Sequence, residues 1–230
     1  NVGGSGEIVY DGTSCVVSPN GDIVMLLESF EEDVKTFDTD NIPAPIETMP
    51  YSTCNDHTRM LYRAACLGLK DYFAKSGYTK ASIGLSGGID SAVVACIAAD
   101  TLGKENVRAL LMPSPFTAER SVEDAKELAE NLGIQYSVLP IKEAYKSVMD
   151  TLIPITGGTD FDATEENIQS RIRTVLLMAL QNKDGYVLLN SSNKSENAIG
   201  WCTLYGDTAG AFSVTGDLYK SEIYDLARYI

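Results

Sequence analysis

From residue 81 onward the chain alternates short apolar runs with longer helical patterns, and this alternation limits the folds open to it. The predicted strands are 81–85, 107–112, 134–139 and 186–189; the predicted helices are 91–102, 121–132, about 164–181 and one that begins near Gly216. Strands joined by helices at this spacing form parallel sheets with right-handed crossovers. The pattern therefore predicts an α/β domain, with a parallel sheet flanked by helices on both faces.

The first 37 residues have a different pattern, with three predicted strands at 8–10, 15–17 and 23–27. Asn20-Gly21 between the last two is a hairpin-turn signal. Three short strands cannot bury two faces by themselves. We therefore expect residues 1–37 to be an incomplete part of another domain.

Prolines mark the next segment as a linker, which we place at residues 38–55. They are Pro43, Pro45 and Pro50. The second domain is predicted to cover 56–230 and to open with a helix that Asp56 caps and that runs to about Ser76. The chain begins without Met and ends inside a helical pattern, so we interpret it as part of a longer polypeptide.

Charge and cysteine content exclude several classes of protein. The formal net charge of -14 opposes binding to nucleic acid or to an anionic membrane. The five cysteines form no CxxC pair, and their odd number suits reduced thiols in the cytoplasm. No apolar run reaches the roughly 18 residues of a membrane span.

A glycine-rich loop between the first core strand and the following helix carries the clearest chemical signal. Its residues are Ser86, Gly87, Gly88, Ile89, Asp90 and Ser91. Paired glycines allow a close backbone approach to a ligand, and a helix start presents free amides to an anion. A bare phosphate would repel Asp90, so we expect Mg2+ between this carboxylate and phosphate oxygens.

Two common phosphate loops do not fit, because no Lys follows the glycines and the Gly-x-Gly-x-x-Gly spacing is absent. The sequence Ser-Gly-Gly-x-Asp-Ser resembles the PP-loop of ATP pyrophosphatases. The alternative is a glycine-rich turn with a capping Asp, which the strand-loop-helix context makes the weaker interpretation.

Three later blocks narrow the resemblance. They are Asn167-Ile168-Gln169-Ser170-Arg171-Ile172-Arg173, Asn190 to Glu196, and Trp201 to Asp207. In this order after the PP-loop, they resemble the NAD synthetases. Residues 7–14 and 20–22 are similar to the last strands of the nitrilase-like glutaminase domain of the glutamine-dependent members.

The resemblance implies an adenine nucleotide alpha hydrolase-like fold and a set of site residues. It implies that ATP is bound by Ser86, Gly87, Gly88, Ile89, Asp90, Ser91 and Ser191. It implies that deamido-NAD is bound by Asn167, Arg171, Glu196, Trp201, Thr203, Leu204 and Asp207. Asp90 and Glu196 would hold Mg2+, and these two residues with Lys220 would be catalytic.

Several of these residues also have simpler interpretations. Taken alone, Arg171 could be an ordinary side chain of a surface helix, and Glu196 could be a helix carboxylate that water solvates. We expect Trp201 to pack in the core and Cys202 to be buried as a neutral thiol. Core packing is also expected for Cys15, and a surface position for the only histidine, His57.

The resemblance implies ATP-dependent amidation of deamido-NAD through an adenylated intermediate, which releases pyrophosphate and AMP. Ammonia would come from glutamine, through a glutaminase domain in the same polypeptide, and the enzyme would be a homo-oligomer. Another PP-loop ligase, acting on a purine nucleotide or on tRNA, and a non-catalytic nucleotide-binding module remain as alternatives; the negative charge disfavours tRNA.

Overall fold

The computed structural model describes residues 1–47, 54–157 and 161–230. The strands in these ranges are β1 (Val2–Ser5), β2 (Ile8–Asp11), β3 (Cys15–Val17), β4 (Ile23–Leu26), β5 (Ala81–Gly84), β6 (Val107–Leu111), β7 (Gln135–Val138), β8 (Val187–Asn190) and β9 (Phe212–Ser213). The α-helices are α1 (Cys54–Ser76), α2 (Ile89–Leu102), α3 (Glu119–Leu132), α4 (Lys142–Thr156), α5 (Ala163–Asp184), α6 (Lys194–Ile199) and α7 (Lys220–Tyr229).

The centre of the fold is a five-stranded parallel sheet in the order β7-β6-β5-β8-β9. Successive residues of its strands face opposite sides, and both sides are buried. On β6, Ala109 and Leu111 pack on one side while Leu110 packs on the other. On β8, Val187 and Leu188 are divided in the same way. Apolar residues at consecutive positions are needed for such a sheet, which explains the short apolar runs of the sequence.

Helices cover both sides of this sheet. Residues of α1, α2, α3 and α7 share one apolar cluster with the sheet, including Leu69, Val94, Ala125 and Leu226. On the other side, Leu177 of α5 packs with Leu110 and Leu188. The predicted fold class, a parallel sheet with helices on both faces, is confirmed.

Some boundaries and caps differ from the sequence prediction. Because α1 already includes Cys54, Asp56 lies in its first turn and not at the N-cap position where it was predicted. The N-cap of α3 is Ala118, without a side-chain bond, so this helix begins two residues before its predicted start at Ser121. The helix expected near Gly216 begins at Lys220, and β1, α4, α6 and β9 were not predicted. Residues 38–47 of the predicted linker form no helix or strand, and Pro50 lies outside the described residues.

The N-terminal strands form two antiparallel pairs, β1-β2 and β3-β4. The predicted turn at Asn20-Gly21 is confirmed, since the Gly21 amide donates to the Ser18 carbonyl at 3.0 Å between β3 and β4. Cys15 is exposed, so the prediction that it packs in a core is wrong. Its alternating neighbours indicate a strand, but a two-stranded sheet leaves one face open to solvent.

The β1-β2 pair packs against α1 through a clamp on Gly4. The Gly4 amide donates to Asp71 Oδ2 at 2.8 Å, and Lys75 Nζ donates to the Gly4 carbonyl. A Cβ on Gly4 would lie 3.3 Å from the Asp71 Cβ, so the backbone of β1 lies close against the helix. Asp71 therefore connects the N-terminal strands to the helix that packs on α2.

Replacing Asp71 with alanine should loosen the β1-β2 pair without unfolding the sheet. A hydrogen bond to a partly exposed charged group contributes about 1–2 kcal/mol, which corresponds to roughly tenfold faster amide exchange in β1. Hydrogen exchange of residues 2–11 measures this. Asp124→Ala is the matched control, because Asp124 forms only an exposed ion pair with Arg120 on α3. Equal exchange in both variants would contradict the clamp.

The same contact should depend on pH. Burial raises the pKa of Asp71, but the Gly4 amide and Lys75 lower it more, so its pKa in the folded chain lies below the ordinary value. A lowered folded pKa contributes stability above the unfolded value of about 4, and this stability is lost as the pH falls through the folded value. Relative to the intrinsic amide exchange rate at each pH, exchange in β1 should therefore accelerate below pH about 4 in the unmodified chain and not in the Asp71→Ala variant.

None of the helices in the described ranges has an apolar stretch long enough to cross a bilayer.

Candidate active site

A cavity of about 650 Å³ opens at the carboxyl ends of the central strand β5 and its neighbour β8. The chain passes from β5 to β6 on one side and places β8 on the other, so the strand order reverses between β5 and β8. Ligands of open α/β sheets bind in the crevice at such a reversal. The walls come from the loop after β5, the inner face of α5, the loop after β8 and residues 200–209.

The loop after β5 is held in shape by Gly87 and by two serines. Gly87 has φ 83°, and a Cβ there would overlap the Ser121 carbonyl oxygen and lie 2.9 Å from its carbon. The Ser86 and Ser91 hydroxyls are 3.1 Å apart, and Ser86 Oγ accepts from the Gly88 amide at 3.2 Å. Ser91 Oγ donates to the Gly88 carbonyl at 3.0 Å. These contacts fix the turn before any ligand binds.

The amides at the start of α2 are available to an anion. Among the described residues, no group accepts a hydrogen bond from the backbone amides of Gly87, Ile89, Asp90 or Ser91. They begin a 14-residue helix, whose N-terminus carries partial positive charge. Of the predicted ATP-binding residues, Ser86, Asp90, Ser91 and Ser191 line the cavity. Gly87 and Gly88 shape the backbone, and the Ile89 side chain packs against the core.

The Asp90 carboxylate has two side-chain partners at the cavity, one on each oxygen. Lys220 Nζ, from the start of α7, forms an ion pair with its Oδ2. Asn193 Nδ2 donates to its Oδ1 at 2.9 Å. The structure thus brings Asp90 and Lys220 together across 130 positions of the sequence, as expected if both act at one reaction centre.

Glu196 lines the same cavity and also forms part of the N-terminal cap of α6. Its Oε2 accepts from the Asn193 amide at 3.2 Å, while the Asn193 side chain accepts from the Glu196 amide at 3.0 Å. This is a capping box, with Asn as the N-cap residue. The structural and the ligand-binding interpretations of Glu196 are compatible, because the cap occupies only one carboxylate oxygen.

The acidic residues fit a magnesium ion bound together with a nucleotide. In the described part of the chain, no group of three or more His, Cys, Asp or Glu is placed to hold a metal. Mg2+ commonly uses one or two carboxylates, with phosphate oxygens and waters as the remaining ligands. Asp90 and Glu196 on the cavity wall are two carboxylates that such a site would use.

The predicted substrate-binding residues meet where the 201–207 loop packs on α5. Thr203 Oγ1 donates to Asn167 Oδ1 at 2.7 Å, and Arg171 Nε donates to the Leu204 carbonyl at 3.1 Å. The Thr203 amide donates to Asp207 Oδ1 at 2.7 Å. Asn167, Thr203 and Asp207 line the cavity, whereas Arg171 and Leu204 are not among its lining residues. Arg171 therefore fixes the loop from outside.

Two predictions for the 201–207 loop are wrong. Trp201 is 76% exposed and does not pack in the core, although it reaches the cavity rim. Cys202 is also exposed rather than buried. The loop after α6 runs along the surface, and a large side chain in a loop indicates burial only if an element covers it. His57 is exposed, as expected, and its Nε2 lies 3.5 Å from Glu222.

Arg173 belongs to the cavity, although Arg171 was the arginine selected from the sequence. Its Nε donates to the Met112 carbonyl at 3.0 Å, beyond the end of β6. Burial lowers the pKa of its guanidinium. The signal for this placement is helical spacing, since Ser170, Arg173 and Leu177 line the cavity at intervals of three and four.

The NAD synthase family model matches residues 61–230. A glutamine-dependent NAD(+) synthetase of Rhodobacter capsulatus is 43% identical over 235 residues, which cover 99% of this chain and 42% of that protein. The structure of the glutamine-dependent NAD+ synthetase of Acinetobacter baumannii with ADP matches with a TM-score of 0.91 and 42% identity, over 99% of this chain and 43% of that one.

An NH3-dependent NAD synthetase of Campylobacter jejuni is also similar, with a TM-score of 0.66 and 36% identity over 75% of this chain and 72% of that one. The chain spans less than half the length of the curated relatives that it matches, 42% in Rhodobacter capsulatus and 45% in Thermotoga maritima. With a family match over most of its length and this identity to its relatives, the chain belongs to the NAD synthase family.

Proposed function

We propose that the chain carries the synthetase site of a glutamine-dependent NAD synthetase, which amidates deamido-NAD at the expense of ATP. The observation that carries the proposal is the loop after β5. Its unoccupied amides begin α2 next to a cavity that also holds Asp90, Glu196 and, by its ion pair to Asp90, Lys220. Free amides, two carboxylates and a lysine suit a triphosphate bound with a divalent cation.

In the first step, a carboxylate oxygen of the nicotinate group attacks the α phosphorus of ATP. The bond from that phosphorus to the bridging oxygen breaks, and pyrophosphate leaves with the electron pair. The amides of Ile89, Asp90 and Ser91 hold the phosphates, and Lys220 offsets the charge that develops on them. A magnesium ion on Asp90 and Glu196 would neutralise phosphate oxygens.

In the second step, the nitrogen of ammonia attacks the activated carbonyl carbon. The carbon–oxygen bond breaks, AMP leaves with the electron pair, and the nitrogen loses a proton. No side-chain nucleophile takes part. In this scheme, deamido-NAD would be held or framed by the residues that the sequence predicted, which are Asn167, Arg171, Glu196, Trp201, Thr203, Leu204 and Asp207. Arg173 adds a guanidinium in the cavity wall, suited to a phosphate or carboxylate oxygen.

We assign the ammonia source to a glutaminase domain in the same polypeptide, with residues 1–37 as its last strands and 38–55 as a linker. Two comparisons support this division. The family match begins at residue 61. The match to the NH3-dependent relative covers 75% of this chain, which is about the length of residues 56–230, whereas the match to the glutamine-dependent relative of Rhodobacter capsulatus covers 99%. The cytoplasmic location stays a prediction.

The exposed residues of the 201–207 loop support a homo-oligomer. Leu204 and Tyr205 are 62% and 77% exposed, and Trp201 lies beside them. Aromatic residues are enriched in protein interfaces and depleted from free surfaces. We therefore expect a second copy of the chain to cover this loop. Light scattering of the purified protein would measure the mass of the assembly, and a monomeric mass would contradict this expectation.

The test of the function is an incubation of the purified protein with MgATP, ammonium ions and one acceptor. Deamido-NAD should give equal amounts of AMP, pyrophosphate and NAD, and no acceptor should give none. Xanthosine monophosphate is the matched alternative acceptor, because a purine-nucleotide amidating ligase would use it. Turnover with xanthosine monophosphate alone would contradict the proposal, and nucleotide binding without pyrophosphate release from either acceptor would indicate a non-catalytic module.

A further inference from the structure

Asn193 connects the two carboxylates that are proposed to hold the metal. It is the N-cap residue of α6 and is 0% exposed. Its Nδ2 donates to Asp90 Oδ1 at 2.9 Å. Its backbone amide donates to Glu196 Oε2 at 3.2 Å. One buried residue thus contacts acidic groups that lie 106 positions apart, in the first turn of α2 and on α6.

We propose that Asn193 is a positioning residue, which holds Asp90 and Glu196 in the mutual orientation that a nucleotide-bound divalent cation requires. The proposal rests on the proposed function, since it concerns the same metal-nucleotide site. It assigns to Asn193 a role beyond capping a short helix.

The contacts of Asn193 separate this role from capping. An N-cap needs only a side-chain acceptor for the first amides of the helix, which Ser and Asp supply about as well as Asn does and Thr somewhat less well. Asn193 supplies it through Oδ1, which accepts from the Glu196 amide. The Nδ2 group is not needed for the cap, and it is the atom that contacts Asp90.

The side-chain amide of Asn193 carries no charge, which also suits this role. Lys220 binds the other oxygen of Asp90, but a cation lowers the affinity of a carboxylate for a second cation. An amide donor restricts rotation of the carboxylate without cancelling its charge. Residues that orient metal ligands in this way typically change metal affinity by about 10- to 100-fold when they are replaced.

The backbone around Asn193 is fixed independently of Asp90. The Lys194 amide donates to the Leu218 carbonyl at 2.8 Å, and Thr215 Oγ1 donates to the Ser192 carbonyl at 3.1 Å. The Lys220 amide donates to Ser195 Oγ at 3.0 Å. Loss of the Nδ2 group alone should therefore leave the loop in place and free mainly the Asp90 side chain.

The test replaces Asn193 with serine, which keeps the cap and is too short to reach Asp90. Manganese binding is followed by electron paramagnetic resonance, with a non-hydrolysable ATP analogue present. We expect the dissociation constant for Mn2+ to rise at least about tenfold in Asn193→Ser. The affinity for the analogue in excess EDTA should change less than about twofold, because the α2 amides are unaltered.

Asn197→Ser is the matched control, because Asn197 is exposed on the same helix, and its Mn2+ affinity should be unchanged. Asn193→Thr keeps the cap with a different side chain and replaces the serine variant if melting curves show that the latter is unfolded. Unchanged Mn2+ affinity in a folded variant would overturn the positioning role alone. A wild-type protein that binds neither analogue nor Mn2+ would overturn the proposed function together with it.

Discussion

Replacing Gly87 with alanine should abolish tight nucleotide binding, with at least a hundredfold loss of affinity for MgATP. The residue has φ 83°, which costs a side-chain-bearing residue about 1–2 kcal/mol. The added Cβ would also overlap the carbonyl oxygen of Ser121, which lies in the first turn of α3. A backbone atom cannot rotate away, so the loop itself must move. Overpacking of this kind costs about 1–3 kcal/mol more.

Gly77→Ala separates backbone strain from this clash. Gly77 has φ 73°, similar to that of Gly87, but no atom lies within 4 Å of the position of its Cβ. It should lose about 1 kcal/mol of unfolding free energy and keep its affinity for MgATP. Calorimetric titration with ATP and urea unfolding measure the two effects. If Gly87→Ala bound MgATP as well as Gly77→Ala does, the loop would not be the phosphate site.

The sequence was most informative where structure is determined locally. A strand, two glycines and a helix start lie within eleven residues, 81–91, and their order alone predicts a loop whose amides face a ligand. Strands β5 to β8 were predicted for the same reason, because burial of both faces of a parallel sheet requires apolar runs, whereas the two-residue strand β9 was not predicted. Helix α6 was missed because six residues give too few turns for a periodic signal.

The contacts between distant segments could not be predicted in this way. The sequence nominated Asp90 and Lys220 separately, but their ion pair depends on how α7 packs beside α2. The Asn193–Asp90 contact has no local signal, and only the fold places the loop after β8 next to the start of α2. For Trp201, Cys202 and Cys15, residue type suggested burial, whereas exposure is set by which elements cover them.

The clamp at Gly4 gives the N-terminal strands a physical connection to the site. Asp71 holds β1 on α1, α1 packs against α2 and α7, and these two helices carry Asp90 and Lys220. A domain that contains β1 would therefore be connected, through α1, to the helices that carry the proposed reaction centre. This arrangement fits a polypeptide in which one domain delivers ammonia to another.

Asp90→Asn should reduce pyrophosphate release with deamido-NAD about a thousandfold. The change preserves shape but removes the negative charge that pairs with Lys220 and that would bind a magnesium ion. The phosphate-binding amides remain and the repulsion between Asp90 and phosphate is removed, so ATP affinity without the metal should not fall. The unfolding free energy should also change little, since 37% of the Lys220 side chain is exposed and water can solvate the released charge.

The control for this variant is Asp225→Asn, on α7. Asp225 also has a cationic partner, with Arg228 Nη1 at 2.8 Å, but its side chain is 45% exposed and is not part of the cavity wall. Its turnover should stay within about twofold of the unmodified protein, because an exposed pair contributes little. An Asp90→Asn enzyme that keeps more than a tenth of its turnover would remove Asp90 from the reaction centre, and its pairing with Lys220 would then be structural only.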